Sequence, residues 1–285
     1  MYDLKQMNLV VYTVALGEEF QLPSIDLRDG IDYICFTDKI PESNLGWEIR
    51  VIDPIIPADL PRSSREYKIR PHIWLPEYDA SLYIDTKVEL MGNPTELWGL
   101  LVSEDENISM GFVGHSYRET LMEEFEEVIH LNLDSEVVVR HQLEDYVNHY
   151  SELLNMRPIW GGIIARRHNQ QSCIVAMECW MENVLRYSRR DQLSVLVGLQ
   201  RNSFRNLKIN SFDNFGSTFH TWPIGNNSRS EKYLTHYFDQ VLNQKLSVIL
   251  SERDSAIADL NAIINSTIWR LFKPYRTILR LIKRI

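Results

Sequence analysis

Apolar and polar positions divide the first 115 residues into short blocks. "NLVVYTVAL" and "DYICFTD" are β-branched and aromatic runs bounded by polar residues, and "GWEIRVID" is a third. Runs of this length and composition predict buried strands. Arg65 to Pro76 reads as a helix, "ASLYIDTKVEL" returns to strand, and "GFVGHS" is another strand that ends in a turn. The alternation predicts an α/β fold, a mostly parallel sheet covered by helices. Tyr117 to His149 reads as mainly helical and "IWGGIIARRH" as a strand entered through a glycine pair. "QSCIVAMECWMENVLRYS" is an amphipathic helix, followed by "RRDQLSVLVGL". Residues 201–228, rich in Asn, Ser and Phe without periodicity, read as loop.

The pattern changes after Ser228. Leu234, Tyr237, Phe238, Val241, Leu242, Leu246, Ile249, Leu250, Ile257, Leu260 and Ile264 recur at steps of three and four, which predicts a long amphipathic helix over 229–265. The spacing leaves open whether its apolar face packs on the body or joins copies into a homo-oligomer. Residues 266–285, "STIWRLFKPYRTILRLIKRI", hold Arg270, Lys273, Arg276, Arg280, Lys283 and Arg284 and no acid, and Pro274 divides them into two short helices. Aromatics at headgroup depth and cations on lipid phosphates suit an anionic membrane surface. The expected organisation is a domain over 1–228, the helix 229–265 and a basic tail 266–285.

Charge sharpens this division. The whole chain stands at −9 from 30 basic and 39 acidic residues. Without the six tail cations, 24 basic residues face 39 acidic ones, a body at −15. So acidic a body argues against nucleic acid as a partner. Three cysteines, Cys35, Cys173 and Cys179, do not make a disulfide framework. The N-terminus lacks a basic n-region and its apolar run is broken by Glu18-Glu19, which argues against a signal peptide. No window of 18 apolar residues occurs. The expectation is a cytoplasmic protein held peripherally at the inner face of the plasma membrane.

Candidate chemistry gathers in "PRSSREYKIRPHIWLPEYDASLYIDTKVEL". Open α/β sheets bind ligands at the carboxyl ends of their strands, and Asp85 follows the apolar "SLYI" at such an end. On an extended chain Lys87 would point to the same side as Asp85. An acid beside a lysine suits a phosphorylated ligand, with the amine on phosphate and the acid on a hydroxyl or cation. Arg65, Lys68 and His72 follow helical steps and would form a second cationic edge on one face. No Ser-His-Asp or Cys-His arrangement, paired-cysteine metal spacing, G-x-G-x-x-G or P-loop is present.

The succession Pro61-Arg62-Ser63, Arg65, Lys68, His72, Pro76, Tyr78 and "YIDTK" resembles the signature of a family with plant members linked to seed mucilage and cell-wall polysaccharides, grouped with GT-A-fold glycosyltransferases. "HSYRETLMEEFEEV" (His115, Arg118, Glu123, Glu124) is similar to its histidine–arginine–double-acid block. "YSRRDQLS" (Ser188, Arg190, Asp191, Gln192, Ser194) is similar to its Ser-Arg-Asp-Gln-Leu-Ser motif, and "IIARRHN" with Trp180 lies between them. The blocks cover roughly residues 8–200.

This resemblance implies a GT-A, Rossmann-like mixed sheet with a C-terminal helical extension, and a glycosyltransferase of the hexosyltransferase type. The donor would be a nucleotide-sugar, with a UDP-sugar favoured, and the acceptor a glycan, lipid-linked in surface polysaccharide assembly. Asp38 would contact the nucleoside, and Arg65, Lys68, His72, His115 and Arg118 the phosphates or sugar. Asp85 would stand at the first acid of the Asp-x-Asp motif, where Lys87 replaces the second acid. A Mn2+ or Mg2+ ion could still be held by Asp85 with a distant ligand such as His220. Asp191, after a helix and flanked by polar residues, is the first candidate for the base of an inverting transfer, and Glu124 the second. Arg190 and Gln192 would line the acceptor pocket, with Gly161-Gly162 allowing close backbone approach. Trp160 and Trp222 could stack on sugar faces. Two alternatives remain open: a ceramidase-like hydrolase, and a non-catalytic nucleotide- or glycan-binding module.

Overall fold

The computed structural model describes residues 7–17, 22–102, 107–201, 203–222, 247–263 and 265–266. The chain divides into two compact units, Met1–Pro223 and Ile224–Ile285.

In the first unit the elements run β1 Leu9–Ala15, β2 Ile31–Thr37, β3 Glu48–Val51, α1 Leu60–Ile69, α2 Pro71–Trp74, β4 Ala80–Ile84, β5 Glu89–Leu90, α3 Pro94–Val102, β6 Met110–Gly114, α4 Leu121–His130, α5 Glu136–His149, β7 Ile159–Arg166, α6 Gln171–Arg186, α7 Val195–Gln200, β8 Leu207–Asn210 and β9 His220–Thr221. Seven strands form one sheet in the order β3-β2-β1-β4-β7-β6-β8. β1 pairs in parallel with β2 and β4, β2 with β3, and β6 with β8, while β7 runs antiparallel to β4 and β6. This is the mixed, mostly parallel α/β architecture expected. β5 and β9 make a separate two-stranded ribbon.

The reading of the first strands as apolar runs holds because both sheet faces are covered. Val10, Tyr12 and Val14 of β1 enter one core with Phe36, Tyr67, Phe125 and Trp180. Leu9, Val11 and Ala15 enter the other with Tyr33, Leu82, Trp98 and Ile163. The loop reading of 201–228 needs correction. Leu207–Asn210 is the sheet's edge strand, paired with β6 from Met110↔Leu207 to Val113↔Asn210. Only four residues long, it lacks a period of its own and is specified by its partner.

The chain also leaves the strand after β4. The Val88 amide donates to the Asp85 carbonyl at 2.8 Å and the Lys87 amide to Asp85 Oδ1 at 3.1 Å. Lys87 therefore sits exposed in a turn, not two residues along an extended strand beside Asp85.

In the second unit, 247–263 is helical, with Val248, Ile249, Leu250, Ile257, Leu260 and Ile263 exposed. The remainder of the expected 229–265 helix, 229–246 and 264, and all of the tail but Ser266 lie outside the described residues. Among the described residues no helix is long and apolar enough to cross a membrane.

Candidate active site

The crevice between β1 and β4 is the switch point of the sheet. From β1 the chain steps outward to β2 and β3, then returns to β1's other side for β4, so loops part at the strands' carboxyl ends. Asp85 closes β4 there, its amide bonded to the Gly162 carbonyl at 2.8 Å. Asp38, at the end of β2, accepts from the amide of Gly17, whose φ of +102° is the left-handed region that favours glycine. Asp38 thus braces the loop after β1 at the crevice mouth.

The first segment of the Pro61–Leu90 block is a clasp. Asp59 caps α1 by accepting from the Arg62 amide at 3.1 Å, and Pro61 lies in the first turn. The Arg62 guanidinium donates to the carbonyls of Val184 and Tyr187, the end of α6. A cation on terminal carbonyls satisfies groups the helix leaves open. One turn on, Arg65 and Lys68 meet Asp191, at 2.9 Å for Arg65 Nε–Oδ1 and 2.6 Å for Lys68 Nζ–Oδ2. Side-chain exposures of 17%, 5% and 4% put all three away from bulk water. Buried Arg166 holds the end of α1, donating to the Tyr12 hydroxyl at 2.7 Å and the Lys68 carbonyl at 3.0 Å.

Burial by itself would raise the Asp191 pKa, but Arg65, Lys68 and Arg190 outweigh it and hold this carboxyl well below the usual range. Lys68 is shifted down, by burial first, with Asp191 opposing. An acid that remains ionised and doubly paired has little affinity for a proton. The expectation of Asp191 as first-choice base is corrected accordingly: it anchors α1 to the short 3-10 turn Asp191–Leu193.

The glycine pair lies in a bulge of β7. Phe112 pairs with Ile164 but Val113 with Trp160, so Gly161, Gly162 and Ile163 are spanned by one step of β6. A Cβ on Gly161 would stand 2.8 Å from Lys68 Nζ and 3.5 Å from Asp191 Oδ2, and one on Gly162 would collide with the Trp160 ring. The space beside both glycines is filled by the protein's own side chains, so the expected close approach of a sugar to this backbone is corrected. Trp160 is itself nearly buried, with ring centroids 5.6 Å from His220 and 5.7 Å from Trp222.

The second block comes to the same place. The His115 amide bonds to the Pro158 carbonyl at 2.9 Å. Thr120 caps α4 by accepting from the Glu123 amide, and α4 then presents Glu124 and Glu127 inward. Arg118 pairs with Glu127 at 2.9 Å. Glu124 is held more loosely, with Arg118 Nε at 3.7 Å and the ring nitrogen His115 Nε2 at 3.9 Å, beyond hydrogen-bond reach. Burial raises the Glu124 pKa, with Arg190 and Arg118 only partly opposing. Burial together with Arg118, Arg157 and Arg190 depresses His115 to about 3, so its imidazole is neutral at physiological pH.

The third block supplies Arg190, Asp191 and Gln192. Gln192 Nε2 donates to the Ile159 carbonyl at 3.3 Å, and its Oε1 accepts from Arg190 Nη2 at 3.3 Å. Ser188 Oγ donates to Asp134 at 2.7 Å, and Ser194 Oγ accepts from Gln142 at 3.1 Å. Arg189 joins Asp59 and Asp134, at 3.4 and 3.5 Å. Asp59, Asp134 and Arg166 had no expected role. Of these only Arg166 left a sequence signal, a charge inside an apolar strand.

Two expected members lie elsewhere. His72 does not share a face with Arg65 and Lys68, because α1 ends at Ile69 and Pro71 starts a new turn; its Nε2 lies 3.1 Å from Glu178 of α6. His220 is spent: Nδ1 is 2.8 Å from Ser217 Oγ and Nε2 3.3 Å from the Asn214 carbonyl. Among the described residues no three His, Cys, Asp or Glu side chains converge as a metal-holding group. The donor set therefore does not fit a Mn2+ or Mg2+ held by Asp85 with His220.

Residues 39–218 match the model of the TOD1/MUCI70, glycosyltransferase-like domain. No curated protein matches. Similar solved structures include the bifunctional glycosyltransferase WbbM in apo form, at 12% identity and TM-score 0.41 over 74% of this chain and 40% of that one. They also include mouse xyloside xylosyltransferase 1, apo form, at 11% identity and TM-score 0.38 over 73% of this chain and 85% of that one. The mannosyltransferase Ktr4p from S. cerevisiae follows at 13% identity and TM-score 0.37, over 68% and 66%. The chain thus spans less than half the length of WbbM. All three ordered blocks fall inside the matched residues, which make up more than half of the sequence, and the chain belongs to the TOD1/MUCI70 glycosyltransferase-like family.

Proposed function

We propose that this chain transfers a hexosyl group from a nucleotide-diphosphate sugar, with UDP as the favoured nucleotide, to a glycan acceptor. The observation that supports this best is the convergence of α1, α4 and the 3-10 turn, distant in sequence, on one buried ionic cluster beside the sheet's switch point. The donor lies over the carboxyl ends of β1, β2 and β4, between Asp38 and Asp85, with Lys87 reaching its diphosphate from the exposed turn. Glu124 takes the proton of the acceptor hydroxyl. That oxygen then bonds to the anomeric carbon as the bond to diphosphate breaks, and the electron pair leaves with the diphosphate. The negative charge developing on the leaving group is met by Lys87.

Thermal unfolding with a panel of UDP-, GDP-, CMP- and dTDP-sugars tests the donor. One nucleotide class should raise the Tm, with about 2.7 kcal/mol of stabilisation at a hundredfold excess over Kd. Asp85→Asn, which keeps an acceptor for the Lys87 amide, should abolish the response without moving the unliganded Tm. A panel in which no nucleotide stabilises the protein would sink the transferase reading, and binding without donor turnover would favour a non-catalytic module.

We also assign the acceptor to lipid-linked surface-glycan assembly at the cytoplasmic face of the plasma membrane. The composition of 266–285 supports this: six cations interleaved with Trp269, Phe272 and Tyr275. At about 1 kcal/mol per basic residue, they provide reversible attachment to anionic lipid. Vesicles rich in anionic lipid should sediment the protein, and replacing the six cations by glutamine should release it. Equal sedimentation of both forms would remove the attachment. Exposed apolar residues on 247–263 support a second role for this unit, self-association of the helix.

A further inference from the structure

Among the described residues the cations of the cluster are committed to direct partners, with one exception. Arg65 and Lys68 are on Asp191, Arg118 is on Glu127, and Arg157, from the neighbouring loop, is on Glu119. Arg166 is fully buried, bonded to Tyr12 and the Lys68 carbonyl. Arg190 is half-buried, and among the described residues no carboxylate lies within ion-pair distance of it. Its one side-chain hydrogen bond goes to the neutral amide of Gln192, and its buried Nε has no acceptor. A half-buried guanidinium with no directly bonded anion keeps unused donors, and its planar fork fits a carboxylate or phosphate in bidentate fashion.

The backbone beneath it is fixed. The Arg190 amide donates to Ser188 Oγ at 3.1 Å, Trp180 Nε1 donates to the Asp191 carbonyl at 2.9 Å, and Gln192 is tied to Ile159. The head is thus aimed while, among the described residues, no carboxylate pairs with it directly.

Position along β7 says which ligand it faces. Asp85 is bonded at Gly162, the Lys68–Asp191 pair packs on Gly161, Gln192 holds Ile159, and His115 holds Pro158. Arg190 is at the Pro158–Ile159 end, with the Lys68–Asp191 pair between it and the donor's Asp85. Its charge acts on Glu124, His115 and Asp191 together. It therefore belongs to the end where Glu124 would deprotonate the acceptor.

We propose that Arg190 binds an oxyanion of the acceptor, a carboxylate or phosphate close to the hydroxyl that becomes glycosylated. This rests on the transferase reading above and names its acceptor class as an acidic glycan.

The test uses full-length protein with isotope-labelled arginine, the Arg190 Nε signal being assigned by its disappearance in Arg190→Lys. Inorganic phosphate, glucuronate and glucose are titrated separately, then phosphate or glucuronate again in the presence of saturating UDP. The signal should move saturably with phosphate, glucuronate or both, and not with glucose. Movement with phosphate alone identifies a phosphorylated acceptor, and movement with glucuronate alone a uronate. Arg190→Gln should weaken the responding anion about ten- to hundredfold, as loss of a charged hydrogen-bond partner does. Its Tm should stay at the wild-type value; Arg190→Lys, which keeps the charge but not the fork, should lose less. An unresponsive signal would overturn the proposal. So would competition between UDP and the anion, which would place Arg190 on the donor diphosphate. Anion binding in a protein that binds no nucleotide would leave the oxyanion site standing and remove the transferase.

Discussion

Asp191→Asn lowers the stability of the sheet domain by about 3–5 kcal/mol, the cost of removing one partner from a buried ion pair. The exposures make this an interior effect: Asp191 and Lys68 are 4% and 5% exposed and Arg65 17%. With the carboxylate gone, two cations are left facing each other without water. For a domain of this size the expected fall in Tm is about 6–20 °C. The sign of the pH dependence follows from the depressed carboxyl. Its folded-state pKa lies below the unfolded value, so its contribution is full above pH ~4 and is lost as pH falls through the folded pKa. The wild type should lose this increment on acidification and Asp191→Asn should not. Adding Lys68→Met to Asp191→Asn should recover part of the loss, because an apolar side chain there needs no counter-ion. Denaturant melts of the three proteins from pH 7 to pH 3 make the comparison. An Asp191→Asn protein as stable as wild type, but inactive, would restore Asp191 as the base.

Glu124→Gln has the opposite profile. Transfer should fall by about two to four orders of magnitude, the usual worth of a positioned base, while stability stays level or rises. The carboxyl is buried, its nearest ion-pair cation, Arg118 Nε, is at 3.7 Å, and burial raises its pKa above the usual glutamate value. A carboxyl whose folded pKa exceeds its unfolded pKa disfavours the folded state once pH passes the unfolded pKa, about 4.3, because ionisation is then harder inside than outside. An amide of the same shape removes that penalty. The same shift sets the acid limb of the rate profile. Activity should rise with pH through a value above that of an ordinary glutamate, and His115, depressed to about 3, should not shape it. Donor binding should be unchanged, so the loss appears in kcat. A Glu124→Gln protein with full transfer rates would exclude Glu124 as base. A large drop in Tm would mean that its carboxylate is a structural partner of Arg118.

These two acids show how much of the site could be read from the chain. Both stand in recognisable blocks, and each was a fair candidate for the base. What separates them is the number of cations within 3 Å among the described residues, two for Asp191 and none for Glu124. Those cations come from α1, more than a hundred residues upstream of Asp191, and no local spacing encodes the meeting. Lys87 was misplaced for a related reason. Side-chain alternation holds only while the strand continues, and Asp85 accepts from the Lys87 amide and folds the chain back. His72 was separated from Lys68 by Pro71, a break legible in the sequence that helical counting passed over.

The order of apolar blocks by itself determined the α/β class and the strands β1, β2, β4 and β7, because residues buried on both faces must be apolar without interruption. The resemblance to the family was carried instead by the three polar motif blocks, all of which fall inside the matched residues. Tertiary structure alone decided that β8 completes the sheet, that the glycine pair makes room for an ion pair, and that among the described residues no carboxylate lies within ion-pair distance of Arg190. Strand identity is a local consequence of burial, whereas the charge state of a buried group depends on whatever distant side chain arrives within a few ångströms of it.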